Sequence, residues 1–594
     1  MGLKWFVNII LVIGVLVRIF VFGEPVTRPN SERATLFWRH KNKADIALSQ
    51  GSNLVAAEHL EVCLRVLGRP TPHTKLDVFC GVVWHCLRHA LHRLGVGRRL
   101  ASSGLQVLFR QINQDIHCEY DKLNAQAAAV VCQRLLQMHL TGDAPRSYWR
   151  ACFLGLSAIN LAENAGNYVS TQLKSQMYVT TAMQLQQELP NSLCFLSRYF
   201  LMRARDTYSE AGSVAHPAMQ WLFHPLGHEF IVNCKLPCRE GQAMWASVTN
   251  KANPIENISQ KFKESLLEDI FAGLAFPCSG HLSSNKDQPL SWHGPESELH
   301  LLHECYSPSS MGGCSVDVLM SSIADGCDHG RDEVAEWWAA LGLVALHWLR
   351  GEEEAAKSFY STVDHLPKSL LLSENPIPKA LFQAFNARRI ILHAESLTRE
   401  RLKESGKLCD KASIYLMQSI ELASLHHTNR MQELAQLLCC DWLLATRTDI
   451  WEISLDVVSR RNCLGLIGFQ HDLESLRTIA HAQKAALPRV YLYEAVARLM
   501  TDANPARTLQ LLQRAGTRQA FNQSACGALR NDCVTGERER AIALLMACRH
   551  LPTPYLSAPG QRKGMLLEAA SCLEKMCDKR TLKRCKQILL SLKE

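Results

Sequence analysis

The chain is 594 residues long, 47% hydrophobic and 20% charged, with a formal net charge of +9. That is ordinary globular composition, long enough for several domains or one long repeat array. The mild positive charge suits an anionic membrane face or an acidic partner better than a dedicated nucleic-acid groove. The 23 cysteines are odd in number and scattered, which excludes the short, regular framework of a disulfide-rich secreted domain and points to free thiols filling small apolar sites in a reducing cytosol.

The first predicted element is a transmembrane helix within residues 1–23. From Trp5 to Phe22 the chain reads WFVNIILVIGVLVRIFVF, interrupted only by Asn8 and Arg18. At about 1.5 Å per residue this run spans roughly 27 Å, against a hydrocarbon core of roughly 30 Å. Arg18 lies one turn from Phe22, so its head can snorkel to one interface, while Trp5 suits the other. Lys4 precedes the run, and Arg28, Arg33, Arg39, Lys41 and Lys43 follow it. The positive-inside rule therefore puts everything after Gly23 in the cytosol, where the sequons at Asn257 and Asn522 never meet the glycosylation machinery. A cleaved signal peptide is disfavoured by Arg18 within the run and by the lack of a small-x-small pattern near Gly23. Met1-Gly2 is a poor myristoylation start, because position 6 is Phe.

Residues 24–43 form a basic juxtamembrane linker. Its Phe37 and Trp38 sit among cations, and its position favours lipid headgroups over nucleic acid. Beyond it almost every periodic segment has helical spacing, strict alternation is scarce, and prolines fall at joints: Pro70, Pro190, Pro237, Pro254, Pro367, Pro488 and Pro552. Ala44–Gly68 and Ala339–Pro367 share a pattern. Gly51 and Gly351 are each followed at +5 by Ala (Ala56, Ala356), at +9 by Leu60 or Tyr360, and at +12 by Cys63 or Val363. A Gly that ends one helix and a small residue that lets the next pack closely resemble a tetratricopeptide helix pair or a generic antiparallel pair; no unbroken 34-residue period runs through the chain. The fold class expected is all-α: one transmembrane helix, then an array of antiparallel helix pairs in two halves, 44–275 and 331–594. The Gly, Ser, Pro and His-rich stretch 276–330 reads as a flexible insertion between them.

Cys80, Val83, Trp84, Leu87, Leu91 and Leu94 form one apolar stripe at i, i+3, i+4, i+7 spacing. On the same helix His85, His89 and His92 share a face. Arg88 and Arg93 beside them, and no well-placed carboxylate or thiolate, favour a solvated basic face over a metal site. The run Trp221 to His228, WLFHPLGH, is either an aromatic docking surface carrying Trp221 and His224 or a turn that plugs the core. Cys234 and Cys238 lack the second pair a structural zinc needs. No phosphate-binding loop, nucleophile elbow or zinc-protease motif occurs, and Gly95-Val96-Gly97 lacks the third glycine of a dinucleotide turn. No catalytic residue, metal or cofactor is expected. The candidate partner surfaces are the basic face from His85 to Arg99 (His85, Arg88, His89, Arg93), Trp221 with His224, and the C-terminal cations Arg580, Lys583 and Arg584.

Six strings occur in order along the chain: GEPVTRP (Gly23 to Pro29), FWRHKNKAD (Phe37 to Asp45), MQWLFHPLGH (Met219 to His228), GFQHDLESLR (Gly468 to Arg477), YEAVARLM (Tyr493 to Met500) and YLSAPGQRKGMLLEAASCLEK (Tyr555 to Lys575). Together they resemble the C-terminal half of the sterol regulatory element-binding protein (SREBP) family, membrane-bound precursors of basic helix-loop-helix zipper transcription factors. WFVN and ACRHLP lean toward the cholesterol-directed branch. The resemblance implies an endoplasmic reticulum hairpin with both ends cytosolic. Its C-terminal domain binds the sterol-sensing escort, the SREBP cleavage-activating protein. At low sterol the escort carries the pair to the Golgi, where two proteases release the transcription factor that activates cholesterol and fatty-acid genes. On that plan the run from Trp5 to Phe22 is the hairpin's second helix, Met1 to Lys4 end the luminal loop, and the DNA-binding half is missing, so DNA is not bound directly.

Overall fold

Helical periodicity becomes helix almost everywhere the structure, a computed structural model, describes the chain: residues 5–9, 12, 27–28, 30–72, 74–93, 114–142, 148–188, 195–210, 222, 225–233, 244–246, 253–276, 333–393, 398–425, 429–458, 465–516, 519–520, 534–556, 558, 560–576 and 578–591. The one departure from all-α among them is a two-residue antiparallel ladder, Gln519–Ala520 against Val534–Thr535. Most of the apolar run, Arg18 included, lies outside the described residues; Trp5 is helical and exposed. Among the described residues no helix is long and apolar enough to cross a membrane. The 276–330 segment, apart from Phe276, also lies outside them.

The chain folds as two compact units. The first takes the described residues up to 233 and the start of the helix Pro254–Ala275 as far as Phe262; the second takes residues 244–246 and Lys263 onward. The division thus falls inside a helix.

In the first unit, α1 (Glu32–Ser49) starts on Ser31, whose Oγ accepts from the Ala34 N–H at 3.3 Å. It packs on α2 (Asn53–Val66) through Phe37, Ala44 and Ala47 against Ala56, Leu60 and Cys63. Leu60 and Phe37 are both 3% exposed, worth about 1.5–3 kcal/mol each in removed apolar surface. Then come α3 (Lys75–Arg93), α4 (Gln114–Thr141), α5 (Tyr148–Ala165), α6 (Thr171–Glu188), α7 (Phe195–Glu210), α8 (Pro225–Asn233) and α9 (Pro254–Ala275), the helix the division cuts. α4 pairs with α5, α5 with α6, α6 with α7, and α3 lies on α5.

In the second unit, α10 (Glu333–Arg350) is buried on every side from Val334 to Trp348, as a helix apolar all round must be. Its indoles find carbonyls: Trp337 donates to Val363 at 3.0 Å and Trp338 to Met244 at 2.8 Å. After it in the chain come α11 (Glu353–Asp364), α12 (Lys368–Leu371), α13 (Ile377–His393), α14 (Arg399–Leu425), α15 (Arg430–Val458), α16 (Leu466–Ala482), α17 (Leu487–Met500), α18 (Pro505–Ala515), α19 (Glu537–His550), α20 (Gln561–Lys575) and α21 (Lys579–Ser591). Successive helices pack in pairs, α10 on α11, α13 on α14, α17 on α18, α19 on α20.

The repeated Gly pattern has one physical cause. Gly51 and Gly351 adopt φ of +74° and +68°, open to glycine at no steric cost. The next residue's N–H then returns to a carbonyl in the last turn, Ser52 to Ala47 and Glu352 to His347, both at 2.9 Å. Ala56 and Ala356 are fully buried where the second helix crosses the first. The described cysteines are free thiols. Nine are buried, and burial pushes Cys63 and Cys132 up to about 11.

Candidate functional site

The charged face of α3 is not the solvated one. His85 stacks edge-on against Phe153 with ring centroids 4.9 Å apart, and Asn160 Nδ2 donates to its carbonyl at 2.9 Å. His89 is 6% exposed. Arg93 Nε donates to the Tyr199 hydroxyl oxygen at 3.0 Å, and the same hydroxyl is hydrogen-bonded to His89 Nε2 at 3.1 Å. His89 Nδ1 faces Glu163 at 3.7 Å, and Tyr178 donates to the same carboxylate at 2.5 Å. Burial, reinforced by Arg93 and opposed by Glu163, holds His89 below the ordinary imidazole value. Arg88 is half-buried. The side exposed instead is apolar: Leu76, Phe79, Val83 and Leu87 stand 72%, 52%, 50% and 44% open, and Phe79 meets Trp149 edge-on. Of the predicted stripe's described side chains, Cys80, Val83 and Leu87 therefore line a surface and Trp84 is partly covered; the side chains of Leu91 and Leu94 lie outside the described residues. The expectation of a solvated basic face is corrected for His85 and His89. α5 and α7 carry Asn160, Glu163 and Tyr199 to meet those polar groups, and that complementarity outweighs the apolar face. The side chain of His92, and Trp221, His224, Cys234 and Cys238, lie outside the described residues.

The second unit holds a larger constellation that sequence reading missed. α15 is lined with buried polar side chains, and its buried charged residues meet partners on other helices. Asp441 accepts from Arg538 at 3.1 Å and from the Tyr493 hydroxyl at 2.9 Å. Arg447 reaches Asp472 at 2.6 Å and Asp410 at 2.9 Å. Asp449 accepts from Arg584 at 2.8 Å, with Arg388 at 3.7 Å. Glu452 takes Arg549 at 3.1 Å and His550 at 3.0 Å. A Cβ at Gly468 would fall 2.5 Å from Arg447 Nη1, so glycine makes room for that guanidinium. Burial alone would raise Asp441 and Asp449. Arg489 and Arg538 around the first, and Arg584 and Arg388 around the second, hold both below the usual carboxylate value.

The C-terminal candidates divide. Arg584 is absorbed into the Asp449 pair, Lys583 is exposed, and Arg580 lines a crevice beneath α15. Several of the quoted strings supply this constellation: GFQHDLESLR contributes Gly468 and Asp472, YEAVARLM contributes Tyr493, and ACRHLP contributes Arg549 and His550. Among the described residues no group of three or more His, Cys, Asp or Glu is placed to hold a metal ion. The thiols beside α15 are poor nucleophiles, because burial pushes Cys409 up to about 12 and Cys439 and Cys440 well above the ordinary value. What the arrangement offers is scaffolding in which most buried charges are paired, with charged and apolar faces. No family model matches the chain. No solved structure matches it.

Proposed function

We propose that this chain is the membrane-anchored regulatory domain of an SREBP-type precursor. In this reading it binds the SREBP cleavage-activating protein and so couples sterol level to transport from the endoplasmic reticulum to the Golgi. The observation that carries the reading is the set of six strings, in family order from Gly23 to Lys575. Three further features support it. The run from Trp5 to Phe22 suits a membrane anchor with residue 24 onward cytosolic. The paired helices suit a tetratricopeptide-like array that binds through faces and not in a catalytic pocket. The apolar side of α3 is a surface of the kind that partners cover. DNA is then bound only through a separate basic helix-loop-helix half.

The test is co-purification of the full chain, in detergent-solubilised membranes, with the cytosolic propeller of the escort. Stoichiometric recovery supports the reading; no association by chain that remains folded refutes it. A second reading, an unrelated signal-anchored helical scaffold, draws on the Gly51 and Gly351 helix pairs. Coding sequence upstream of Met1 that contains a second apolar run and a basic helix-loop-helix segment excludes it.

A further inference from the structure

In the second unit α10, α13, α15 and α21 leave a crevice of about 50 Å³. A cavity needs roughly 10–15 Å³ on this measure to admit one water, so the crevice has room for a small polar group. Its wall carries three guanidiniums, Arg388, Arg538 and Arg580, and two carboxylates, Asp441 and Asp578. Both carboxylates are already engaged. Asp441 serves Arg538 and Tyr493, while Asp578 caps α21, accepting from the Thr581 N–H at 3.0 Å and hydroxyl at 2.9 Å. The cations are less well served. Arg538 Nε is buried without a hydrogen-bond partner, with Asp578 no nearer than 3.9 Å. Arg388 holds Thr446 at 3.3 Å and Asp449 at 3.7 Å, because Arg584 takes Asp449 more closely. Among the described residues Arg580 forms no ion pair, and Asp449 and Glu353 attract it only from a distance.

We propose that this crevice binds one phosphate-class oxyanion, free or as the end group of a small phosphorylated molecule, through Arg388, Arg538 and Arg580. Three guanidiniums against two carboxylates leave the wall one positive charge in excess, and planar forked donors match tetrahedral oxyanions. Burial and the neighbouring Arg388 lower Arg580 to about 10, the behaviour of a desolvated cation beside another cation. It remains charged at neutral pH. The inference is independent of the family reading, since it uses only the walls of this crevice.

The test is thermal unfolding of the full chain in detergent, titrated with inorganic phosphate, and separately with glucose 6-phosphate, against chloride at matched ionic strength. Wild type is expected to gain melting temperature with phosphate beyond chloride. Arg580→Gln is expected to bind about tenfold or more weakly, and to melt no lower than wild type without phosphate, because no ion pair is lost. Lys583→Gln, on the exposed side of the same helix, keeps the response. Stabilisation by phosphate alone supports a free-ion site; stabilisation by both ligands supports entry of an end group. A phosphate effect no larger than chloride's, or an equal effect in Arg580→Gln, overturns the proposal.

Discussion

Asp441→Asn is the sharpest test of the constellation around α15. The change keeps shape and volume, removes one charge, and puts an amide where Arg538 and Tyr493 now donate at 3.1 and 2.9 Å. The side chains of Asp441 and Arg538 are 9% and 15% exposed, so bulk water reaches this pair poorly, and Arg538 Nε already lacks a hydrogen-bond partner. Removing one member of a buried ion pair costs about 3–5 kcal/mol, a large share of the ~5–15 kcal/mol that holds a domain folded. At about 2–4 °C per kcal/mol, the melting temperature of the second unit should fall by at least ~6 °C. Two units need not melt together, so calorimetry should be paired with hydrogen exchange read on α15 and α19. Because Asp441 is depressed in the folded state, its stabilisation is present above the unfolded value near pH 3.8 and is lost as pH falls through the lower folded value. The variant should therefore lose part of wild type's acid-unfolding limb. A shift under about 2 °C, with exchange in α15 unchanged, would refute the argument that this pair is desolvated and indispensable.

Three other outcomes are expected. His89 is depressed in the folded state, so the unfolded chain takes up its proton first: the first unit should lose stability as pH falls below about 6.5, and His89→Gln should flatten that slope in pH-dependent melting. Gly51→Ala forces φ of +74° on a residue with a Cβ, although the site itself is open, so circular dichroism melts should show a loss of about 1–2 kcal/mol, less for Gly51→Asn. On the proposed function, Leu87→Asp changes an exposed position on α3 and should shift stability by under ~0.5 kcal/mol while weakening co-purification with the escort, and Phe79→Asp should do the same at a further cost of about 0.5–1.5 kcal/mol from its lost contact with Trp149; unchanged binding would count against α3 as the proposed docking face.

Local chemistry was legible from the sequence because it acts within one or two turns of chain. The helical period, the Gly51 and Gly351 turns, the buried Ala56 and Ala356, and Pro254 and Pro488 at helix starts all follow from residues close in sequence. So does the use of cysteine as a small apolar filler at nine of the eleven described thiols, which are buried, while Cys80 and Cys86 are exposed. What a stripe faces is not local. The periodicity of α3 placed its apolar and histidine sides correctly relative to each other, but α5 and α7 decided that the histidines turn inward and Leu76, Phe79, Val83 and Leu87 outward. The ion pairs of α15 escaped for the same reason. Asp441 meets Arg538 across 97 residues and Asp449 meets Arg584 across 135, so neither carboxylate looks different from a surface acid until tertiary packing removes the water. In α21, a sequence cannot distinguish Arg580, Lys583 and Arg584 as cations. Folding pairs Arg584, exposes Lys583 and leaves Arg580 in a crevice, because burial and the placement of one aspartate decide what each charge does.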